Sequence, residues 1–497
     1  MPEMTVRSFR KRFSGRFFRW FAGDLQVLYG QGTISAFACP APSVTMNSGM
    51  ASGTLGHLLA RLEIGLKFAR HFLTAVLVWI GVVSTVSAQR YDIERLRASG
   101  LQVTQSEHLT LITSVRDRAD VAEFNEVFEQ AVDQWCEYFS IPKATVKDWH
   151  VTGSIIPEAD KPRFRELGIL TDDLPPFPAG YQQGTRFWVY LQEGDYYTRH
   201  LLIHEGTHAF MEKFLGGYGA PWYAEGMAEL LGVHQWEDGK LTINYDIKDR
   251  DEVPYWGRVK LVRQERDAGN RKTLDDVLAI DGFAFREVRT YGWAWAACEF
   301  FDSHPEFQDA FRKLPSVASR SANEFNHQFR QLLSDKWPEA GRQWHWMVDE
   351  IEYGYDVAQS NLVDVTERTT TANETAFKLA VDRGWQSTGI QMQAGQALQI
   401  SATGRFQIKH DGEPWPCTAN GASIEYYRGR PVGRLIAAVG QPGQTLTLKS
   451  MDVGSDGVLE FAGSGALGTL YLRINESPAA WNDNQGQLTI KVTPRTE

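Results

Sequence analysis

At 497 residues the chain is long enough for two or three domains and a sizeable core. Its 43% hydrophobic and 23% charged residues exclude a disordered chain, and a net charge of −10 argues against a nucleic-acid partner, which needs a basic face. The four cysteines (Cys39, Cys136, Cys298 and Cys417) are too widely spaced for a disulfide framework or a CxxC metal site.

Residues 1–88 read as a leader. Lys67 and Arg70 precede an apolar run from Phe72 to Val83, followed by Val86-Ser87-Ala88, the order of a secretory signal cleaved after Ala88. That run is about 12 residues, short of the roughly 20 that span a bilayer; a retained amino-terminal anchor is the alternative. Met46 or Met50 is a more natural start than Met1. The leader holds nine Lys and Arg against three Asp and Glu, so without it the net charge moves from −10 to −16. A secreted or periplasmic, acidic protein is expected, with no membrane contact beyond the signal segment.

Residues 89–197 mix strands and helices. "HLTLITSV" alternates like a strand, and "ADVAEFNEVFEQAVDQWCEYF" places Phe124, Phe128, Trp135 and Phe139 at helical spacing. Prolines and glycines between Pro157 and Gly184 mark loops. Thr185 to Gly194 is a second strand, either a sheet edge that pairs with an extended peptide or an ordinary core strand. Residues 198–360 are mainly helical, with Pro305 breaking one amphipathic segment. A Thr-rich linker covers 361–376. Residues 377–497 show short β runs between Gly- and Asn-rich turns, the pattern of an all-β sandwich or jelly roll.

The first stretch of the helical part carries the chemistry. His204 and His208 are four apart, so on a helix both imidazoles leave one face and can share one metal ion, with Glu205 beside them to reach a water. "GGYGAP" then turns the chain, and the next helix brings Glu225 back. Two imidazoles and one carboxylate meet the three-ligand, one-open-position requirement of catalytic zinc. Glu229, one turn further, either accepts the free ring N–H of a ligand histidine or is a solvated helix residue. His200 extends the histidine stripe as a fourth ligand or as a surface or packing residue.

"HEGTH" followed by "PWYAEGMAE" resembles the gluzincin metallopeptidases of the peptidase MA-like group, over roughly residues 105 to 345. The resemblance implies an α+β zincin-like catalytic domain, a mixed sheet followed by a mainly helical subdomain. It also implies zinc on His204, His208 and Glu225, Glu205 as general base, and a peptide or protein substrate. A tyrosine donor for the oxyanion is expected, Tyr291 in "RTYGWAWAACEFF" being the best placed, with Tyr218, Tyr223 and His234 as substitutes. Sixteen residues separate His208 from Glu225 and the GxMEN exopeptidase motif is absent, so endopeptidase and exopeptidase modes both stay open. Two other readings also remain: a catalytically silent zincin-fold protein, and a zinc hydrolase of non-peptide substrates.

In the last region, "GWQSTGIQMQAGQALQISATGRF", "GRPVGRLIAAVG" and "GTLYLRINESPAAWNDNQGQLTIKV" together resemble the soluble bacterial galactophilic lectins, small calcium-dependent jelly rolls. The resemblance implies Ca2+ on Glu476, Asp483 and Asn484, with the backbone oxygen of Ala480, and a carbohydrate partner. A Glu stands where the family has Asp, and an Asp where it has Asn. The alternative is a structural β-sandwich appended to the enzyme.

Overall fold

The computed structural model describes residues 91–495 apart from 117–118, 253–256, 363–368, 371–373, 411, 441–450 and 462–466. The leader, the start at Met46 or Met50, the cleavage after Ala88 and most of the Thr-rich linker lie outside the described residues. Ser87–Glu497 forms one compact unit. No described helix is long and apolar enough to cross a membrane.

After a short helix, Ile93–Ala98, the described residues form a five-stranded mixed sheet of β1 (Gln102–Gln105), β2 (Leu109–Thr113), β3 (Val151–Ile156), β4 (Gly180–Gln183) and β5 (Arg186–Tyr190), in the order β1-β2-β3-β5-β4. The central β2, β3 and β5 run parallel, and β1 and β4 are antiparallel edges. Both faces of this sheet are covered, so β2 is buried at all five positions instead of alternating between core and solvent. Helix α1 (Ala119–Tyr138) covers one face with Phe124, Phe128 and Trp135. Trp188, Ile112 and Ile156 face the other side and pack with Leu96, Phe164 and Ile169.

The strand of Thr185–Gly194 is therefore not the edge: β5 lies between β3 and β4. The edge on that side of the sheet is β4, inside the stretch read as loops. Its residues "GYQQ" are half-exposed, with no apolar alternation to announce a strand.

The helical part contains α2 (Asp195–Phe214), α3 (Pro221–Gly232), the hairpin β6 (His234–Glu237) and β7 (Lys240–Ile243), α4 (Arg258–Asp267), α5 (Val288–Ser303), α6 (Ala322–Leu333) and α7 (Trp337–Glu350). Pro221 starts α3 at a position where its missing N–H costs nothing, and Ser321 with Glu324 forms a capping box on α6. Two glycines set how closely the helices approach. A Cβ on Gly206 of α2 would come within 2.6 Å of the Trp135 ring on α1. A Cβ on Gly226 of α3 would come within 2.5 Å of both the Ala294 carbonyl and the Cys298 sulfur on α5. One apolar core joins the sheet to these helices, with residues from Leu109 to Val357. Cys136, Cys298 and Cys417 are free and buried.

The carboxy-terminal region is all β. One sheet is built from β8 (Thr369–Thr370), β10 (Gln386–Met392), β14 (Asn420–Tyr427), β15 (Arg430–Gly440), β16 (Met451–Asp452) and β18 (Gly468–Asn475). Its order is β14-β15-β18-β10-β8, with β16 beside β15. The other is built from β9 (Thr375–Ala380), β11 (Ala397–Thr403), β12 (Phe406–His410), β13 (Glu413–Cys417), β17 (Asp456–Glu460) and β19 (Gln485–Pro494). Its order is β13-β12-β19-β11-β17, with β9 beside β19. The two sheets share one core: Leu398, Ile400, Leu488 and Ile490 from the second meet Leu435, Ala437, Leu470 and Leu472 from the first.

This region is docked on α7. Trp346 of α7 packs against Trp385 and Tyr471 with ring centroids 5.8 and 5.6 Å away. Glu350, at the end of α7, accepts from Arg428 at 3.0 Å and from Arg473 at 3.1 Å.

Candidate metal centre

Helix α2 presents His200, His204 and His208 along one side, and all three are buried. The Nε2 atoms of His204 and His208 lie 3.3 and 3.6 Å from Oε2 of Glu225 on α3. Four ligands held tetrahedrally at about 2.0–2.1 Å from a zinc ion stand about 3.3 Å from one another, so each imidazole nitrogen stands from the carboxylate oxygen at close to the separation such an ion requires, and all three atoms lie within 4.8 Å of one another. Among the described residues, the only groups of three or more His, Cys, Asp or Glu whose ligand atoms lie within 4.8 Å of one another are this one and the overlapping set His200, His204 and Glu229. The second set is already filled by a cation, because Arg258 donates to both oxygens of Glu229 at 2.7 and 2.8 Å.

The charges fit a cation at the first set. Burial works against ionising Glu225, but His208 and His204 outweigh it and hold the carboxyl well below its usual range. Burial likewise disfavours charge on His204, yet Glu225 and Glu229 overcome this and keep a proton on the ring. A divalent ion that displaces that proton answers the same demand for positive charge. Two imidazole nitrogens and a carboxylate oxygen are the donor set zinc prefers.

Glu229 is 1% exposed, which removes the solvated alternative. Its Oε1 lies 3.4 Å from Nδ1 of His204 and its Oε2 lies 3.4 Å from Nε2 of His200. His200 is not a surface residue: it is fully buried, and its Nδ1 donates to the Gly232 carbonyl at 2.9 Å.

Glu205 sits beside the edge strand, so close that a Cβ on Gly180 would collide with its carboxylate. Burial, opposed by His204 and His208 and reinforced by Glu225 and Glu229, pushes Glu205 up to about 7.

Two tyrosines flank the cradle. The Tyr291 ring on α5 lies 6.3 Å from the His204 ring, and burial, together with Glu225, Glu229 and Glu205, raises its hydroxyl, which stays protonated and able to donate. Tyr218, in the turn between α2 and α3, has its ring 5.8 Å from His208, but its hydroxyl donates to Gln182 of β4 at 2.9 Å. The other two candidates lie elsewhere. Tyr223 is enclosed by Phe311 and Phe325, and His234 is stacked under Tyr196 with Nδ1 on the Gly232 carbonyl at 2.8 Å.

In the β region, Glu476 and Asn484 meet: Asn484 Nδ2 donates to Glu476 Oε2 at 2.6 Å and to the Val381 carbonyl at 3.0 Å. Oδ1 of Asp483 and Oδ1 of Asn484 are buried without a hydrogen-bond partner. Burial, opposed by the Asn484 contact and reinforced by Asp483, pushes Glu476 up to about 7. Orphaned, oxygen-only donors of this kind suit a hard cation such as calcium. The Ala480 backbone belongs to the same short turn, its N–H bonded to the Ser477 carbonyl at 2.9 Å.

No family model and no curated protein matches the chain. Among solved structures it is similar to the PllA-like lectin that is the N-terminal domain of EclA, with 21% identity over 24% of this chain and 95% of that one, at a TM-score of 0.19. It is also similar to the IMPa metallopeptidase from Pseudomonas aeruginosa, with 15% identity over 52% of this chain and 25% of that one, at a TM-score of 0.14. For IMPa from Pseudomonas aeruginosa in complex with an O-glycopeptide the figures are 14% identity, 55% and 27% coverage, and a TM-score of 0.15. The chain spans about a quarter of the metallopeptidase's length. At these scores the likeness decides nothing about chemistry, which rests instead on the geometry of the cradle.

Proposed function

We propose that the chain is an exported, zinc-dependent peptidase of the gluzincin kind, with a zincin-like catalytic domain over residues 89–360. A linker over 361–376 joins it to a lectin-like jelly roll over 377–497. The observation that carries the reading is the convergence of His204 Nε2, His208 Nε2 and Glu225 Oε2 at 3.3 and 3.6 Å, with Glu205 beside an edge strand.

When bound by His204, His208 and Glu225, zinc supplies a Lewis acid that makes water acidic and polarises a carbonyl. The chain's own residues do the rest. An extended peptide adds to the free edge of β4, which places its backbone alongside Glu205. Glu205 takes the proton of the attacking water and returns it to the leaving amine. The Tyr291 hydroxyl donates to the oxygen on which charge develops. The Glu229 carboxylate, 3.4 Å from Nδ1 of His204, favours the hydrogen on that nitrogen and so leaves Nε2 free for the cradle.

Metal analysis of the purified protein, paired with digestion of a peptide library by wild type and Glu205→Gln, tests this. One zinc in each protein with cleavage by the wild type alone is expected. A wild type without zinc, or a Glu205→Gln protein that cleaves as well as wild type, would overturn it.

For the β region, the two orphaned oxygens of Asp483 and Asn484 favour calcium-dependent carbohydrate binding over a purely structural role. A glycan array with and without calcium checks this: signal lost on chelation supports it, and a blank array with calcium refutes it.

A further inference from the structure

We infer that Arg258 is a positioning residue of the metal cradle, acting through Glu229 and also bearing on Tyr291. The inference rests on the zinc-peptidase reading.

Arg258 is the first residue of α4 and is 6% exposed. Its Nε donates to Glu229 Oε2 at 2.7 Å and its Nη2 to Glu229 Oε1 at 2.8 Å. Two parallel bonds between a planar fork and a planar carboxylate fix the plane of Glu229 as well as its place, which a single bond would not do. With that plane fixed, Oε1 faces Nδ1 of His204 and Oε2 faces Nε2 of His200. An ionised carboxylate only accepts, so the His204 nitrogen facing it carries the hydrogen, and the lone pair falls on Nε2, the atom turned to Glu225.

The far side of the network is closed as well. His200 donates from Nδ1 to the Gly232 carbonyl, and a Cβ on Gly232 would come within 2.9 Å of its ring. The carboxylate is thus held by the Arg258 fork and bordered by two imidazoles, whose facing nitrogens lie 3.4 Å away and are buried without a hydrogen-bond partner of their own. The guanidinium carbon also lies 5.5 Å from the Tyr291 ring centroid, in reach of its π face. One side chain therefore touches both the group that orients a ligand histidine and the proposed oxyanion donor.

Stability alone gives little reason for such an arrangement. A buried ion pair loses in desolvation much of what it gains by attraction, and apolar residues of similar volume often replace one without loss. Orienting His204 is a task that apolar residues could not perform.

The test uses the full chain as wild type, Arg258→Met, Arg258→Lys, Glu229→Gln and the Arg258→Met/Glu229→Gln double variant. Zinc affinity is read by competition with a chromogenic chelator, ligand geometry by the visible spectrum of the Co2+-substituted protein, and catalysis as kcat and KM. Arg258→Met is expected to weaken zinc binding about 10- to 100-fold, alter the Co2+ bands and lower kcat at constant KM. The double variant should be no weaker than the worse single one, because both act on the same histidine. Arg258→Lys keeps the charge but not the fork, and should recover only part of the loss. Wild-type zinc affinity and Co2+ spectrum in Arg258→Met would overturn the inference, as would full recovery by Arg258→Lys, which would leave charge alone as the cause. If Arg258→Met does not fold, the same readouts on Arg258→Lys and Glu229→Gln decide: a shared loss supports the inference, and wild-type values in both refute it. A wild type that takes up no zinc sinks the peptidase reading itself, whereas normal zinc uptake by every variant sinks only the role of Arg258.

Discussion

In the helical region Glu225 reaches two histidines from a helix held close to its neighbour at Gly226, whereas in the β region Glu476 and Asn484 meet across a single turn, Pro478–Asp483. Both sites gather buried acids around atoms with unmet demands. In the helical one the Arg258 fork fixes Glu229, which faces His204 and His200 at 3.4 Å, while Nδ1 of His208 is buried without a hydrogen-bond partner. In the β loop Asn484 donates to Glu476, and Oδ1 of Asp483 and Oδ1 of Asn484 are likewise buried without a partner. Sites built on helices with clamped side chains hold their geometry, and sites built on a turn depend more on the ion to set it.

The sharpest way to break this comparison is to remove one acid from each site. Glu225→Ala should abolish zinc retention and peptide cleavage, while Glu476→Ala should leave both at wild-type levels and affect only calcium uptake. Zinc content and cleavage rate, measured on both proteins, check this. If Glu476→Ala also stops cleavage, the two sites are not independent.

Next in size is the choice between the flanking tyrosines. Tyr291→Phe should lower kcat by about 10²-fold, the usual loss for one oxyanion donor, with KM unchanged. Tyr218→Phe, whose hydroxyl is engaged by Gln182, should change kcat little. Steady-state kinetics on one peptide substrate separates them, and a reversed ranking would move the donor role to Tyr218.

The cradle's rigidity is tested by Gly226→Ala. Its new methyl would meet the backbone carbonyl of Ala294, which cannot step aside as a side chain could. Overpacking of this kind costs about 1–3 kcal/mol. Because Glu225 is the adjacent residue, zinc affinity should fall with stability. Thermal melts with and without zinc read both, and a melt unchanged from wild type would show that α3 is free to shift.

These sites are unequally legible in the sequence. His204, His208 and Glu225 announce themselves because one helical turn and one short loop are local facts. Glu229 follows from the same periodicity. Arg258 does not: it stands 29 positions from Glu229, at the start of a helix rich in charges, with no spacing to single it out. Strand β4 is hidden because a half-exposed edge strand needs no apolar alternation. The docking of the β region on α7 is equally silent, since Glu350 and Arg473 are 123 positions apart.

That docking gives the last expected effect, a dependence on acid confined to low pH. Arg473 is 2% exposed and lies between Trp385 and Trp481, 4.7 and 5.4 Å from their rings, with Glu350 as its acid partner. Burial works against ionising Glu350, but Arg473 and Arg428 outweigh it and hold its carboxyl below the usual range. A carboxyl depressed in the folded state contributes stability in full above its unfolded value, about 4.3, and loses it as the pH falls through the lower folded value. The contact between α7 and the β region should therefore hold at neutral pH and weaken only below about pH 4.3. Trp346 and Trp385 report on it directly, because their rings meet across this contact. Tryptophan fluorescence from pH 7 down to pH 3 should show a transition in the wild type. In Glu350→Gln that part of the transition should be missing, and the contact should already be weakened at neutral pH, because a charged Arg473 then lies buried without its anion, a loss of about 3 kcal/mol. An identical acid profile in the two proteins would mean that apolar packing around Trp346, not the ion pair, holds the β region in place.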